Sequence, residues 1–307
     1  MCVMKVFFDE HYVGAEYAFD TTRKASHVAE ALEAGRVDGI EMATPADSHR
    51  AIAEQHIERV HAAEYVDAIR TGADTALART NGFDWDPGIW RMAVHSTAGV
   101  IAATEAAVRD GVGGSLSSGL HHAKPDNGEG FCTVNGLVVA ASAHLERHPD
   151  DRVVIVDVDA HCGGGTAACL VSAGLTDRVQ HLDIYTSSFD LYRPVGPDDV
   201  LARGGDTDEE YLSDVAILLS SIDWEQADLV LYNAGMDPHP GISAEALAHR
   251  ERLMFEQAVA NDTPVAWVLA GGYTWGITMD ELVDLHLLTV RAAIRSSRPH
   301  RTGDVPV

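Results

Sequence analysis

Three short runs, Val153-Val154-Ile155-Val156, Leu229-Val230-Leu231-Tyr232 and Val265-Ala266-Trp267-Val268-Leu269, are apolar at every position and bounded by polar residues or glycine. Continuous apolarity over four or five residues, without alternation, predicts strands buried on both faces, as in a parallel sheet. Between and after them the pattern predicts helices over 208–219, over 243–260 with Ser243 as a cap before Glu245, and over 279–295. The N-terminal half predicts a strand at 5–8, a helix over 46–70 and an alanine-rich helix over 90–109. Strands followed by helices in this rhythm predict an α/β fold, one open and mostly parallel sheet covered by helices on both faces, as a single domain over residues 1–307. No repeat, low-complexity tract or interdomain linker interrupts it.

Such sheets place their sites outside the carboxyl ends of the strands, which gives weight to the residues found there. The strand from 153 runs into Asp157, Asp159 and His161, whose alternation puts them on one face, and Gly163-Gly164-Gly165-Thr166 then turns into a helix. The strand from 229 delivers Asp237 to the same edge. Asp159, His161 and Asp237 together offer a metal one nitrogen and two carboxylates and leave a position open, the pattern of a catalytic site. His121 and His122 follow a predicted short strand and supply a candidate base, and Tyr273, after Gly271 and Gly272, supplies a candidate donor to an oxyanion. Singly, each has a plain structural reading: aspartates after strands cap turns, and histidine pairs or Gly-Gly-Tyr turns need no function. The glycine run lacks the lysine and spacing of a phosphate loop.

Composition narrows the setting. A chain of 307 residues, 46% hydrophobic, has ample material for a core, and no segment approaches the roughly 20 apolar residues of a membrane span. The N-terminus reaches Asp9 and Glu10 too soon for a signal peptide, and Cys2, Cys132, Cys162 and Cys169 show no paired spacing, so a cytoplasmic protein with reduced thiols is expected. With 22 basic against 47 acidic residues the net charge is −25, which repels phosphates and speaks against direct nucleic-acid binding. The same charge permits a cationic substrate, and Asp84 and Asp86 beside Phe83 and Trp85 are candidates for its rim.

In order and spacing, Leu120-His121-His122-Ala123-Lys124, Gly130-Phe131-Cys132 with Asn135, Asp157-x-Asp159-x-His161, Ala234-Gly235-x-Asp237-Pro238 and Gly271-Gly272-Tyr273 resemble the histone deacetylase superfamily, which includes the bacterial acetylpolyamine amidohydrolases. The resemblance runs from His61-Ala62-Ala63-Glu64-Tyr65-Val66 to about residue 276, and the histidine motif is most similar to class I lysine deacetylases. It implies an arginase/deacetylase-like fold and a zinc-dependent amidohydrolase, with Fe2+ or Co2+ as substitutes. By position it implies Asp159, His161 and Asp237 as metal ligands, His122 as proton-transfer base, His121 as its electrostatic partner, Asp157 as the carboxylate orienting His121, and Tyr273 as oxyanion donor. It implies an acyl-chain tunnel with Phe131 as one wall, Phe189 or Asp190 near the other, Gly271 and Gly272 beside it, and the Gly130 carbonyl receiving the substrate's amide nitrogen.

The chain departs from the family's pattern around the metal. Gly164 stands where an Asp or Asn usually orients the proton-transfer histidine, which predicts a His122 that is loosely held or differently tuned; Cys162, Thr133 and Gly136 also differ, as does Pro238-His239-Pro240-Gly241. His181 replaces the serine of the family's potassium site and counts against K+. The leading expectation is deacylation of a small acylated amine or acyl-lysine peptide, without membrane or nucleic-acid partners. Two others stay open: a noncatalytic metal-binding or acyl-binding homologue, and a ureohydrolase-like enzyme with two manganese ions. The segment between Phe8 and Ala46 is short for the loop by which polyamine enzymes dimerise, and the oligomeric state is unknown.

Overall fold

A computed structural model describes residues 3–13 and 20–296; Met1 and Cys2, on which the leader and thiol readings partly rest, lie outside them. In chain order the elements are β1 (Met4–Phe7), a 3-10 turn (Glu10–Val13), α1 (Asp20–Glu33), β2 (Ile40–Ala43), α2 (Asp47–Val60), α3 (Ala63–Thr71) and α4 (Thr75–Ala78). Then follow α5 (Gly88–Asp110), β3 (Val112–Ser118), α6 (Gly136–Arg147), β4 (Val153–Asp157), α7 (Gly164–Ala173), β5 (Val179–Tyr185) and β6 (Val200–Arg203). The last are α8 (Asp208–Ser220), β7 (Leu229–Ala234), α9 (Ala244–Ala260), β8 (Val265–Leu269) and α10 (Met279–Ser296).

The strands form one eight-stranded sheet in the order β2-β1-β3-β8-β7-β4-β5-β6, every pair parallel. The apolar runs are wholly buried because both faces are covered. Val153 and Ile155 pack with Ile101 of α5 and Val138 of α6, whereas Val154 and Val156 pack on the other side with Phe255 of α9 and Leu287 of α10. Gly114 of β3 lies in register with Trp267 of β8, and a Cβ there would collide with the indole, so the missing side chain is what admits a fully buried tryptophan.

One expected element is two. The helix over 46–70 is broken because His61 and Ala62 turn extended (φ −107° and −63°) between α2 and α3. The side chain of His61 accounts for the break: Nδ1 donates to the Lys124 carbonyl (2.9 Å) and Nε2 accepts from the Asn135 backbone N–H (3.0 Å), while the Ala62 N–H donates to the Pro125 carbonyl. Burial holds His61 down to about 4, so it serves these bonds as neutral imidazole. No helix among the described residues is long and apolar enough to cross a membrane.

Candidate active site

The four central strands β3, β8, β7 and β4 open at their carboxyl ends onto one place. Gly119 N–H donates to the Leu269 carbonyl, Met236 N–H to Gly271 and Val158 N–H to Asn233, so the loops that leave these strands are tied to one another. The strand alternation expected through His161 stops at Asp157, the last residue of β4. Beyond it the chain curls by side-chain-to-backbone bonds: Asp157 Oδ1 accepts the Asp159 N–H (3.1 Å) and Asp159 Oδ1 accepts the His161 N–H (3.0 Å).

This curl brings Asp159 and His161 against Asp237, so that one donor atom from each lies within 4.8 Å of the others. His161 Nδ1 is 3.1 Å from both Asp159 Oδ1 and Asp237 Oδ2. The remaining oxygens are fixed by the backbone, since Gly271 N–H donates to Asp159 Oδ2 (2.6 Å) and Ala160 N–H to Asp237 Oδ1 (2.9 Å). Asp237 Oδ2 is buried with no well-aligned donor. Burial and the charge of Asp159 push Asp237 up to about 6, and although burial works against it, the bonds and charges of the two carboxylates hold His161 up to about 10. Two carboxylates and an imidazole crowded out of water in this way form a donor set that could hold a metal cation in place of the proton they share.

His121 and His122 follow Leu120, which takes a left-handed turn (φ +54°), and their ring centroids lie 4.0 Å apart at a 42° tilt. They are biased oppositely. Burial disfavours charge on His121, but Asp157 and Asp159 outweigh it and hold its pKa well above the ordinary value; its Nδ1 donates to Asp157 Oδ2 at 2.7 Å. Asp157 is held in turn by Asn233 Nδ2 (2.8 Å). His122 is pushed down, first by burial and then by the charge of His121, and so is the free base of the pair.

The loose His122 expected from Gly164 is not what the structure contains. His122 Nδ1 donates to Asp190 Oδ2 (3.1 Å), and a Cβ on Gly164 would strike the Asp190 carboxyl and carbonyl. Asp190 therefore stands where a side chain from position 164 would reach, and the glycine is its clearance. Gly165 N–H and Lys124 Nζ complete its contacts (3.0 and 3.1 Å). Its neighbour Phe189 points the other way, its ring edge-on to His122 at 4.9 Å and to His161 at 6.0 Å. The ambiguity at this pair thus divides: Phe189 flanks the histidines and Asp190 holds one of them.

Phe131 (φ +66°) packs on Phe83 at 5.4 Å, and together with Gly130, His121, His122, Gly271 and Tyr273 it lines one cavity. Gly272 is packed against Leu282 and His286, away from that lining. Burial, then Asp159 and Asp237, push the Tyr273 phenol up, keeping it a proton donor, and its ring stacks on exposed Trp275 at 4.5 Å. Asn135 caps α6 by accepting the Val138 N–H and reaches Thr166 Oγ1 and the His121 carbonyl, so it braces the histidine loop from beneath. Asp84 pairs with Arg79 and Asp86 accepts the Gly88 N–H, so the two acids expected at a rim already have partners. His181 stacks on Tyr192 and fills the space beside Asp157 and Gly163 with an imidazole.

Residues 19–290 match the histone deacetylase domain family. An uncharacterized protein of Picosynechococcus sp. is 33% identical over 257 residues, which cover 77% of this chain and 81% of that protein. A probable deacetylase of Archaeoglobus fulgidus is 25% identical over 300 residues, 89% of this chain and 82% of its own length. The histone deacetylase-like amidohydrolase of Pseudomonas aeruginosa is 32% identical over a shorter stretch of 120 residues, 38% of this chain and 31% of that one.

Proposed function

The chain belongs to the histone deacetylase domain family, and from that premise we propose that it is a zinc-dependent hydrolase of an N-acyl amide, carried by an acyl-lysine peptide or a small acylated amine. The family and its probable-deacetylase and amidohydrolase relatives support amide hydrolysis, and the family is generally metal-dependent. The observation that carries the reading is the adjacent histidine pair, His121 on Asp157 and His122 on Asp190, beside a triad of metal-ligating side chains.

The donors fit zinc: one imidazole nitrogen and two carboxylate oxygens, with buried Asp237 Oδ2 lacking a well-aligned hydrogen-bond donor. Asp159, His161 and Asp237 would hold it. Bound there, zinc supplies Lewis-acid polarisation of the acyl carbonyl and lowers the pKa of the attacking water. His122, whose Nδ1–H is committed to Asp190, offers Nε2 to take the water's proton and return it to the departing amine. His121, kept cationic by Asp157, stabilises the developing negative charge without giving up its own proton. The Tyr273 hydroxyl donates to the oxyanion, a contact whose loss typically costs about 10² to 10³ in rate. Phe131 and Phe189 flank the acyl chain on its way in, and the Gly130 carbonyl receives the amide N–H.

Among the described residues no second group of metal-binding side chains adjoins the triad, which supports one ion there rather than the two of a ureohydrolase. The test is turnover of acetyl-lysine and longer acyl-lysine peptides and of acetylputrescine by the zinc-, iron- and cobalt-loaded protein. Hydrolysis that disappears on metal stripping and in Tyr273→Phe is expected; absence of turnover with all three metals and every substrate class would overturn the proposal for these amides.

A further inference from the structure

At the carboxyl end of β1 a second set of donors converges. Asp9 is buried, and its two carboxylate oxygens face two different histidines: Oδ1 lies 2.7 Å from His11 Nδ1 on the 3-10 turn, and Oδ2 lies 3.0 Å from His95 Nδ1 on α5. The imidazoles lie 4.5 Å apart at a 37° tilt, and one donor atom from each of the three residues falls within 4.8 Å of the others. The His11 side chain is 30% exposed and that of His95 16%, which leaves an entry from solvent. We propose that Asp9, His11 and His95 form a second metal site that takes a divalent transition ion such as zinc, nickel or cobalt.

The chemistry suits it. Two imidazole nitrogens and a carboxylate are a common donor set for these ions, with water completing the coordination. Tetrahedral bonds of about 2.0–2.1 Å place ligand atoms about 3.3 Å apart; each imidazole nitrogen sits 2.7 or 3.0 Å from its own carboxylate oxygen, and one donor atom from each of the three residues lies within 4.8 Å of the others, so side-chain rotation can close the set around one ion. Among the described residues the cation that pairs with this group is Arg50, whose Nη1 is 3.9 Å from Asp9 Oδ2. It is held elsewhere, by the Pro45 carbonyl (2.8 Å) and by Asp47, and can stay there as the ion enters. An ion here would fasten the 3-10 turn to α5. The consequence reaches the cavity, because Tyr12 and Ser96, the chain neighbours of His11 and His95, both line it.

The test is metal content after equilibrating chelator-treated protein with excess zinc and removing free metal. Wild type is expected to retain two ions per chain, while His95→Gln and, separately, His11→Gln retain one and keep amide hydrolysis; Asp237→Asn, which disables the other set, also retains one. Zinc should raise the melting temperature of wild type by more than that of either histidine variant. One ion in wild type and in both histidine variants, or two in all of them, would overturn the proposal, the first outcome leaving a hydrogen-bonded His-Asp-His cluster without a metal. Because His11 is the more exposed of the two, its variant decides the matter if His95→Gln fails to fold.

Discussion

Asp190 holds His122 from a loop 68 residues further along the chain, and it does so in the left-handed region (φ +59°), which aspartate tolerates better than most residues. Replacing it with asparagine keeps the shape and removes the charge. Asp190→Asn is expected to lower kcat by roughly 10- to 100-fold, the usual cost of losing a carboxylate that orients a working imidazole, with KM little changed. Gly164→Ala should be as damaging as an active-site change, since its Cβ meets Asp190, and Gly164→Asp combined with Asp190→Gly should recover part of the activity by supplying the carboxylate from the other side. The pH profile carries a second reading. In the proposed mechanism His122 acts as the free base, and burial and the charge of His121 lower its pKa from the ordinary 6.5, so activity should be present above that folded-state value and lost as pH falls through it; the acid limb of kcat/KM should lie below pH 6.5. Removing the Asp190 charge, which raises the pKa of His122, should move that limb lower still. The histidine pair, the three metal-binding candidates and Tyr273 could all be read from their motifs. Asp190 could not, because its partner is remote in sequence. The signal for it was indirect: a glycine where a carboxylate belonged, and an alignment that slipped at Phe189 and Asp190.

Among the elements, the buried strands β4, β7 and β8 were legible because a strand covered on both faces must be apolar at every position, and helices α5, α8, α9 and α10 emerged near their expected bounds. The weakly patterned ones were not. Helix α1 is rich in polar residues, β2 is only partly buried, and β5 and β6, at the other edge of the sheet, carry His181, Asp183 and Arg203 among their apolar positions. The break between α2 and α3 has no proline or glycine to announce it and depends on His61 reaching residues more than 60 positions away. Asn135 shows how such bracing enters stability: it caps α6 and ties the histidine loop to Thr166. Asn135→Ala should destabilise by about 1–2 kcal/mol through the lost cap and also lower activity, checked by urea unfolding beside a rate assay. A neutral result in both would mean that the loop is held without it.

At the scale of the whole molecule, folding brings together four strand ends whose motifs span residues 120 to 273, and the product is a concentration of buried negative charge in a chain already at −25. Asp159 and Asp237 repel each other in the absence of a cation, so metal binding and stability are linked. Chelation should lower the melting temperature and added zinc restore it, with about 2.7 kcal/mol gained when free metal is a hundredfold above its Kd at a single site. A melting temperature insensitive to chelator, with metal shown to be removed, would contradict that linkage. The order of the motifs made the α/β sheet and its functional edge legible, but the second cluster at Asp9, His11 and His95 was not, because His95 joins the Asp9-x-His11 pair from 84 positions further along the chain and no motif links them. The proposed hydrolysis turns on His122 as the proton-transfer base, and one comparison tests that role directly: kcat of zinc-loaded His122→Ala against wild type on the best amide substrate. A loss of about 10² to 10⁴ is expected with the metal still bound; turnover within a few-fold of wild type would contradict it.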